Sequence, residues 1–398
     1  MQAIRGDLVL FDCVERGEIF WENGCFVTGR AVYKEIDPDL STFFWDGYIT
    51  PGFIDLHVHG GGGADFMDGT PEAFRLVCQA HARHGTTRLL ATSTVAAPEL
   101  IERFLATCDA IMGTETGGAR VAGAHFYGPY FAPGARGCHP ALGLVDPHKM
   151  GPASYLDHSC IRTATVAPEL LGAGEFLQEC KRRGITGCMG HSHATFEQVA
   201  KGVAQGARHV DHLFCAMSDR ARLRQSQAFP MRGGLLEATL AFDELTTEVI
   251  ADDRHLADEL LMLAYKCKGP DRLAIVTDSM RAMDMPDGDY WFGAEGLGEL
   301  VSKRNGVGLT LDGKGLASAV QGLDVGLRVM QRATKAPLHD LIRMLTITPA
   351  RIAGLDREFG SLAHGKIADL VLLDRDLIVQ GVVVAGEWVM RPASLRAT

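Results

Sequence analysis

No run of about 18 apolar residues occurs in the 398-residue sequence, so no segment reads as a membrane-crossing helix. The opening, MQAIRGDLVLFDC, lacks a basic stretch followed by an apolar stretch and a small-residue cleavage site, which predicts a soluble cytoplasmic protein. Basic residues (39 Lys and Arg) are outnumbered by acidic ones (49 Asp and Glu), and both kinds are interspersed. Without a basic stripe, nucleic acid and anionic membrane are not expected partners. The ten cysteines show no CxxC spacing, which argues against a disulfide framework or a thiolate zinc knuckle and predicts mostly buried free thiols. Low-complexity tracts and short repeats are absent too. So is a GxGxxG fingerprint after an early strand, which weighs against a dinucleotide-binding doubly wound sheet.

What is present is alternation. Eight apolar runs, Gly52 to His59, Thr87 to Thr94, Arg120 to Tyr127, Ile161 to Pro168, Ile185 to His191, Ala207 to His212, Glu248 to Asp252 and Leu273 to Asp278, read as strands. Helix-compatible stretches such as Pro71 to His84, Ala97 to Met112, Gly174 to Arg183, Phe196 to Gly206, His255 to Lys266 and Gly322 to Thr334 lie between or after them. Eight βα units across about 300 residues predict an α/β fold, a (β/α)8 TIM barrel. Residues 1 to about 50 read instead as short strands (Asp7 to Cys13, Glu18 to Trp21, Cys25 to Thr28 and a run around Tyr48). The tail offers Gly365 to Leu373 and Ile378 to Met390, both rich in valine and leucine and broken at Asp374 to Asp376 and Gly386. The expected organisation is a barrel over 51–355, with 1–50 and 356–398 pairing into a small β-sandwich domain.

In a barrel, chemistry collects where the strands end. Here His57 and His59 close the first run, His125 and Tyr127 the third, His191 the fifth, His212 the sixth and Asp278 the eighth. In His57-Val58-His59 the two imidazoles are two residues apart, so on a strand they share a face and can grip one metal ion. Each group has a plainer reading: an HxH pair occurs by chance on surfaces, a single His is often a satisfied core residue, and Asp278 could cap a helix. Their joint recurrence at strand ends favours a metal-dependent hydrolase.

The string PGFIDLHVHG resembles the metal-binding signature of the amidohydrolase superfamily. Six further motifs, HFYGPYFAPGARGCH, GHSHATFEQVAKGVAQGARHVDHLFCAM, IADDRH, IVTDSM, TPARIAGL and GSLAHGKIADLVLLD, are similar to its N-acetylglucosamine-6-phosphate deacetylase branch. The resemblance spans nearly the whole chain. It implies that His191 and His212 bind a catalytic metal ion together with a glutamate, that Asp278 is the general base and later the acid, and that His139 polarises the amide carbonyl. It also implies that His255 contacts a sugar phosphate and that Ala216, Ala317 and Ser318 lie along the sugar site. A small-molecule amino sugar is the expected partner, and a homodimer the expected assembly.

The departures matter. Tyr127 stands where the branch has its ligand glutamate, and a neutral phenol is a poor metal ligand beside a carboxylate. Two resolutions are open. The ion shifts to His57, His59, His191 and Asp278 with His212 close by, the favoured expectation, or it stays near His191 and His212 with water in the vacated position. Zinc suits these donors best, with iron, manganese or cobalt as alternatives. Cys215 replaces an asparagine, Asp253 a glycine, and Asp219 to Arg224 a GREPG stretch, so phosphate recognition falls to Arg220, Arg222, Arg224 or His255. The expected activity is hydrolysis of the acetamide of an N-acetyl amino sugar, N-acetylglucosamine 6-phosphate first. Another N-acyl, cyclic amide or deaminable substrate is the alternative, and a non-catalytic scaffold a third.

Overall fold

The computed structural model describes residues 1–31, 42–150, 155–225, 229–393 and 395–397. At its centre lie eight strands: β1 (Phe53–Val58), β2 (Thr86–Thr92), β3 (Arg120–Phe126), β4 (Ile161–Val166), β5 (Thr186–Met189), β6 (Ala207–Val210), β7 (Thr246–Ile250) and β8 (Leu273–Val276). They neighbour one another in sequence order and every pairing is parallel. The first and last strands then meet. The Asp278 N–H donates to the His57 carbonyl (2.9 Å), the His59 N–H to Ser279 (2.9 Å), and the Thr277 hydroxyl to the buried Asp55 carboxylate (2.7 Å). This seam closes the sheet into the (β/α)8 barrel that the eight runs predict. Its strands are buried almost throughout because both faces are covered, by the barrel interior and by the helices, and the charged residues they carry, such as Asp55, Arg88 and Glu248, find partners inside the fold.

Most helices sit where the sequence places them, at Pro71–Ala82, Pro98–Ile111, Ala173–Arg183, Phe196–Gln205, Asp258–Lys268 and Leu323–Thr334. Side-chain caps fix the starts of the first and the fourth. Thr70 accepts a hydrogen bond from the Ala73 N–H with Pro71 in the first turn, and Thr195 and Gln198 form a reciprocal capping box.

His84, just past the first of these helices, stitches the closing seam together. Its Nδ1 lies 2.8 Å from Asp324 and its Nε2 3.0 Å from Asp284. The chain leaves room for this ring with Gly322, where a Cβ would come within 2.2 Å of His84 Cγ. Burial works against the imidazolium, but the two carboxylates outweigh it and lift the group to about 9. A raised histidine stabilises the fold fully below its unfolded value of 6.5 and loses that contribution as pH climbs through 9. With the ring partly wet, we expect a loss on the order of 2 kcal/mol between pH 6.5 and 9. Denaturant melts of His84→Gln across that window should lack this slope.

The chain ends form one eight-stranded mixed sheet outside the barrel. Its path runs Glu387–Met390, Val379–Val384, Leu370–Leu373, Thr42–Pro51, Gln2–Val9, Val14–Glu22 and Cys25–Ala31, with Arg396–Ala397 pairing beside Thr42–Pro51. The sheet folds over on itself. The Phe26 N–H donates to Lys366 (2.8 Å) and the Trp21 indole to Gly386 (3.0 Å), which encloses a core that includes Ile4, Trp21, Phe26, Ile49, Leu370 and Val383. This is the β-sandwich of the expected fold class. A buried Arg88–Asp369 pair (2.6 Å) ties β2 of the barrel to it.

Two local readings differ. The first strand begins at Gln2 and ends at Val9, not at Asp7 to Cys13, because all eight residues pair in register with Val14–Trp21 while Gly6 and Asp7 interrupt the apolar pattern that would reveal it. After β8, an antiparallel meander of Gly288–Phe292, Glu299–Arg304 and Val307–Thr310, not foreseen in the sequence, precedes the final crossover helix.

Candidate active site

β1 delivers the first two imidazoles and the turn after β8 the carboxylate that faces them. Asp278 Oδ1 lies 3.6 Å from His57 Nε2 and 3.3 Å from His59 Nε2, and all three side chains are buried. Burial works to raise the Asp278 carboxyl, but His57, His59 and His212 outweigh it and hold it below the ordinary carboxylate range. His59 is lowered by its burial, which Asp278 offsets only in part. His57 is also opposed by burial, yet Glu248 and then Asp278 lift it to about 9.

The donor set suits a divalent cation. His57 Nδ1 lies 2.6 Å from Glu248 Oε1, which only accepts, so its proton is fixed there and Nε2 faces Asp278. That Nε2 is buried and has no hydrogen-bond partner. A nitrogen lone pair aimed at a carboxylate is unfavourable unless a positive charge sits between them. Either a proton or a metal ion answers it, and two imidazoles with one carboxylate match zinc-type ligation.

Across the cavity, His191 and His212 approach each other at 3.2 Å between their Nε2 atoms. Both are driven below the ordinary histidine range, His191 by burial and the neighbouring His212, and His212, to about 4, by burial and His57. The Tyr127 hydroxyl lies 2.5 Å from His212 Nε2. The vacated position imagined from the sequence is therefore filled by the phenol.

A cavity of about 250 Å³ opens over these groups, lined by His59, Tyr127, His139, His191, His212, Ala216, His255, Asp278 and Ser318 among others. His57 lies beneath its floor, fully buried. A larger cavity, of about 430 Å³, lies outside the barrel between Phe11 and Ile342 and does not include this cluster. Of the expected site residues, Ala317 misses both floor and wall, and none of the phosphate candidates Arg220, Arg222 and Arg224 lines the cavity. Ala317 packs with Met280, Phe292 and Val301, because its neighbour Ser318 takes the inward position and donates to the Asp278 carboxylate at 3.2 Å. His255 is bound through Nδ1 to Asp252 (2.9 Å), which raises it against burial. Arg222, a candidate for a phosphate, bonds His193 Nε2 (2.9 Å) and the Gly134 carbonyl.

Four cavity residues, His191 (φ 45), Ala216 (φ 47), Asp278 (φ 48) and Ser318 (φ 59), occupy the left-handed region. That conformation is costly for residues other than glycine, and its concentration here marks a site the fold over-determines.

Residues 48–389 match the amidohydrolase family. The chain belongs to that family. This amidohydrolase is 32% identical over 350 residues, 87% of its chain and 84% of the relative, to N-acetylglucosamine-6-phosphate deacetylase of Vibrio furnissii. It is 31% identical, over 85% of its chain and 87% of the relative, to N-acetylgalactosamine-6-phosphate deacetylase of Escherichia coli O157:H7. Among solved structures, N-acetyl-D-glucosamine-6-phosphate deacetylase from Mycobacterium smegmatis superposes with a TM-score of 0.88 at 27% identity, covering 98% of this chain and 100% of that one. The amidohydrolase is thus a hydrolase of carbon–nitrogen bonds.

Sequence reasoning missed several of its site residues. Glu248 on β7 accepts from His57 Nδ1 with one oxygen and approaches His209 Nε2 (3.3 Å) with the other, while the His212 N–H also points at it (3.3 Å). One carboxylate so orients both sides of the site. Below it Asp211, raised to about 7 by burial and by Glu248, accepts from Thr165. Phe131 stacks on His191 (4.2 Å between centroids), and Phe292, from the unforeseen meander, stands edge-on to His59 (4.9 Å) and His139 (5.1 Å). A signal did exist for Glu248: a charged residue inside a buried barrel strand demands a partner.

Proposed function

We propose that this amidohydrolase removes the acetyl group from an N-acetyl amino sugar, with N-acetylglucosamine 6-phosphate the first candidate, using one divalent ion bound among His57, His59 and Asp278 with His191 and His212 facing it. The observation that carries the reading is the Asp278 carboxylate, held ionised between His57 and His59 on the floor of a cavity that His139 also lines. The names of the relatives support the substrate class.

A divalent ion at that position, zinc first, would lower the pKa of a bound water from about 16 toward 7 and polarise a carbonyl oxygen. The rest falls to the chain. Asp278 takes the water proton as the water oxygen bonds to the carbonyl carbon. It then passes that proton to the amide nitrogen as the carbon–nitrogen bond breaks, releasing acetate and the amino sugar. His139 accepts at Nδ1 from the Val95 N–H (3.4 Å), so its proton is on Nε2, available to the developing oxyanion. Phe292 and Phe131 keep the imidazoles packed and bulk water away.

A second reading, an N-acyl or cyclic amide without phosphate, is favoured by one observation: among the described residues lining the cavity there is no Lys or Arg, and His255 is already paired with Asp252. A panel of N-acetyl amino sugars with and without a 6-phosphate, followed by free-amine release, tests both. Turnover of at least one member is expected. Silence across the panel, with activity on another amide, would defeat the amino-sugar reading.

A further inference from the structure

We propose that Tyr127 stands in for a second metal ion: its hydroxyl fills the pocket beside His191 and His212 and turns its own proton into the cavity, giving the oxyanion a second donor beside His139. The oxyanion role rests on the amide-hydrolysis reading above; the filling of the pocket does not.

The case is an account of protons. A neutral imidazole carries one N–H. His191 Nδ1 lies 2.7 Å from the Ala135 carbonyl, which only accepts, so the His191 proton is there and its Nε2 is a bare lone pair. His212 Nε2 sits 3.2 Å from that lone pair, and two lone pairs at this distance repel. His212 therefore carries its proton on Nε2 and donates it toward His191. Its other nitrogen, Nδ1, is buried without a hydrogen-bond partner, which a lone pair tolerates better than a stranded N–H. Tyr127 Oη, 2.5 Å from the same Nε2, shares that proton as an acceptor. The phenol proton is then left over. Among the described residues the hydroxyl has no other hydrogen-bond partner, and Tyr127 lines the cavity.

The ring is placed for this work. Phe131 packs against both Tyr127 (4.8 Å) and His191 (4.2 Å), and the Tyr127 and His139 rings lie 5.4 Å apart, so two donors converge on one cavity wall. The same placement disfavours an ion at the two imidazoles, where a carboxylate would be needed and a buried neutral phenol stands instead.

Three purified proteins decide it, the wild type, Tyr127→Phe and Tyr127→Glu, each assayed for bound divalent metal and for turnover of whichever N-acyl substrate the wild type accepts. Phe keeps the packing and loses only the hydroxyl. It should retain one ion per chain and lower kcat by about 10²-fold, the size of one lost oxyanion donor. Glu should raise the ion count from one to two per chain. A Phe variant that keeps more than a third of wild-type kcat, or that loses its ion, overturns the donor role. A wild type with two ions, or a folded Glu variant with one, overturns the replacement of the ion. Because the ion counts require no substrate, failure of the amino-sugar reading would be told apart from failure of this one.

Discussion

Changing Asp278 to Asn should lower kcat by at least about 10³-fold while leaving the fold in place. The substitution removes a charge and a proton acceptor but almost no volume. Asn tolerates the left-handed backbone that Asp278 adopts (φ 48), and its N–H donor to the His57 carbonyl is unchanged. The seam between β1 and β8 should survive, as circular dichroism and melting can check. What goes is the charge that faces His57 Nε2 at 3.6 Å and His59 Nε2 at 3.3 Å, and with it the group placed to accept a proton from water and return it to nitrogen. The loss should appear in kcat, because a proton carrier acts on the transition state more than on bound substrate. Turnover within tenfold of wild type, with the metal retained, would remove Asp278 from the proton path.

Much of this architecture was legible in the chain, for reasons that particular residues explain. The eight barrel strands announce themselves because parallel strands covered on both faces read as runs rich in apolar residues, and His57, His59, His191, His212 and Asp278 stand at or just beyond the ends of those runs. Tyr127 was visible as a departure, but not its consequence, since only the folded chain shows its hydroxyl filling the place of the missing carboxylate. Glu248 stayed hidden because it is 191 residues from His57 and meets it only across the barrel interior. The meander that carries Phe292 was missed although Asn305-Gly306, both at positive φ, form the two-residue turn that signals a hairpin. Ala317 and Ser318 show the finest limit: a one-residue change of facing moves Ala317 into an apolar cluster and puts Ser318 on Asp278.

Stripping the protein of divalent metal should abolish turnover, by at least about 10³-fold, and one equivalent of a divalent ion per chain should restore it. The effect on stability should be much smaller. An ion present at 100 to 1,000 times its dissociation constant adds about 2.7 to 4.1 kcal/mol through binding alone, which corresponds to roughly 3–5 °C in Tm for a chain of this size. The reason lies in the second partner of His57. With the ion gone, Glu248 still holds the ring through Nδ1, and a proton on Nε2 takes up the charge facing Asp278, so the buried carboxylates are not left without a counter-charge. The Arg88–Asp369 pair and the His84 bridge lie outside the ligand set, and the barrel seam, though it runs through His57, His59 and Asp278, is held by their backbone groups and not by the side chains that would bind the ion. Metal-free protein should therefore be folded, inactive and recoverable. Collapse of the fold on chelation would mean that the ion is structural, and full activity after exhaustive chelation would mean that the chemistry belongs to the side chains alone.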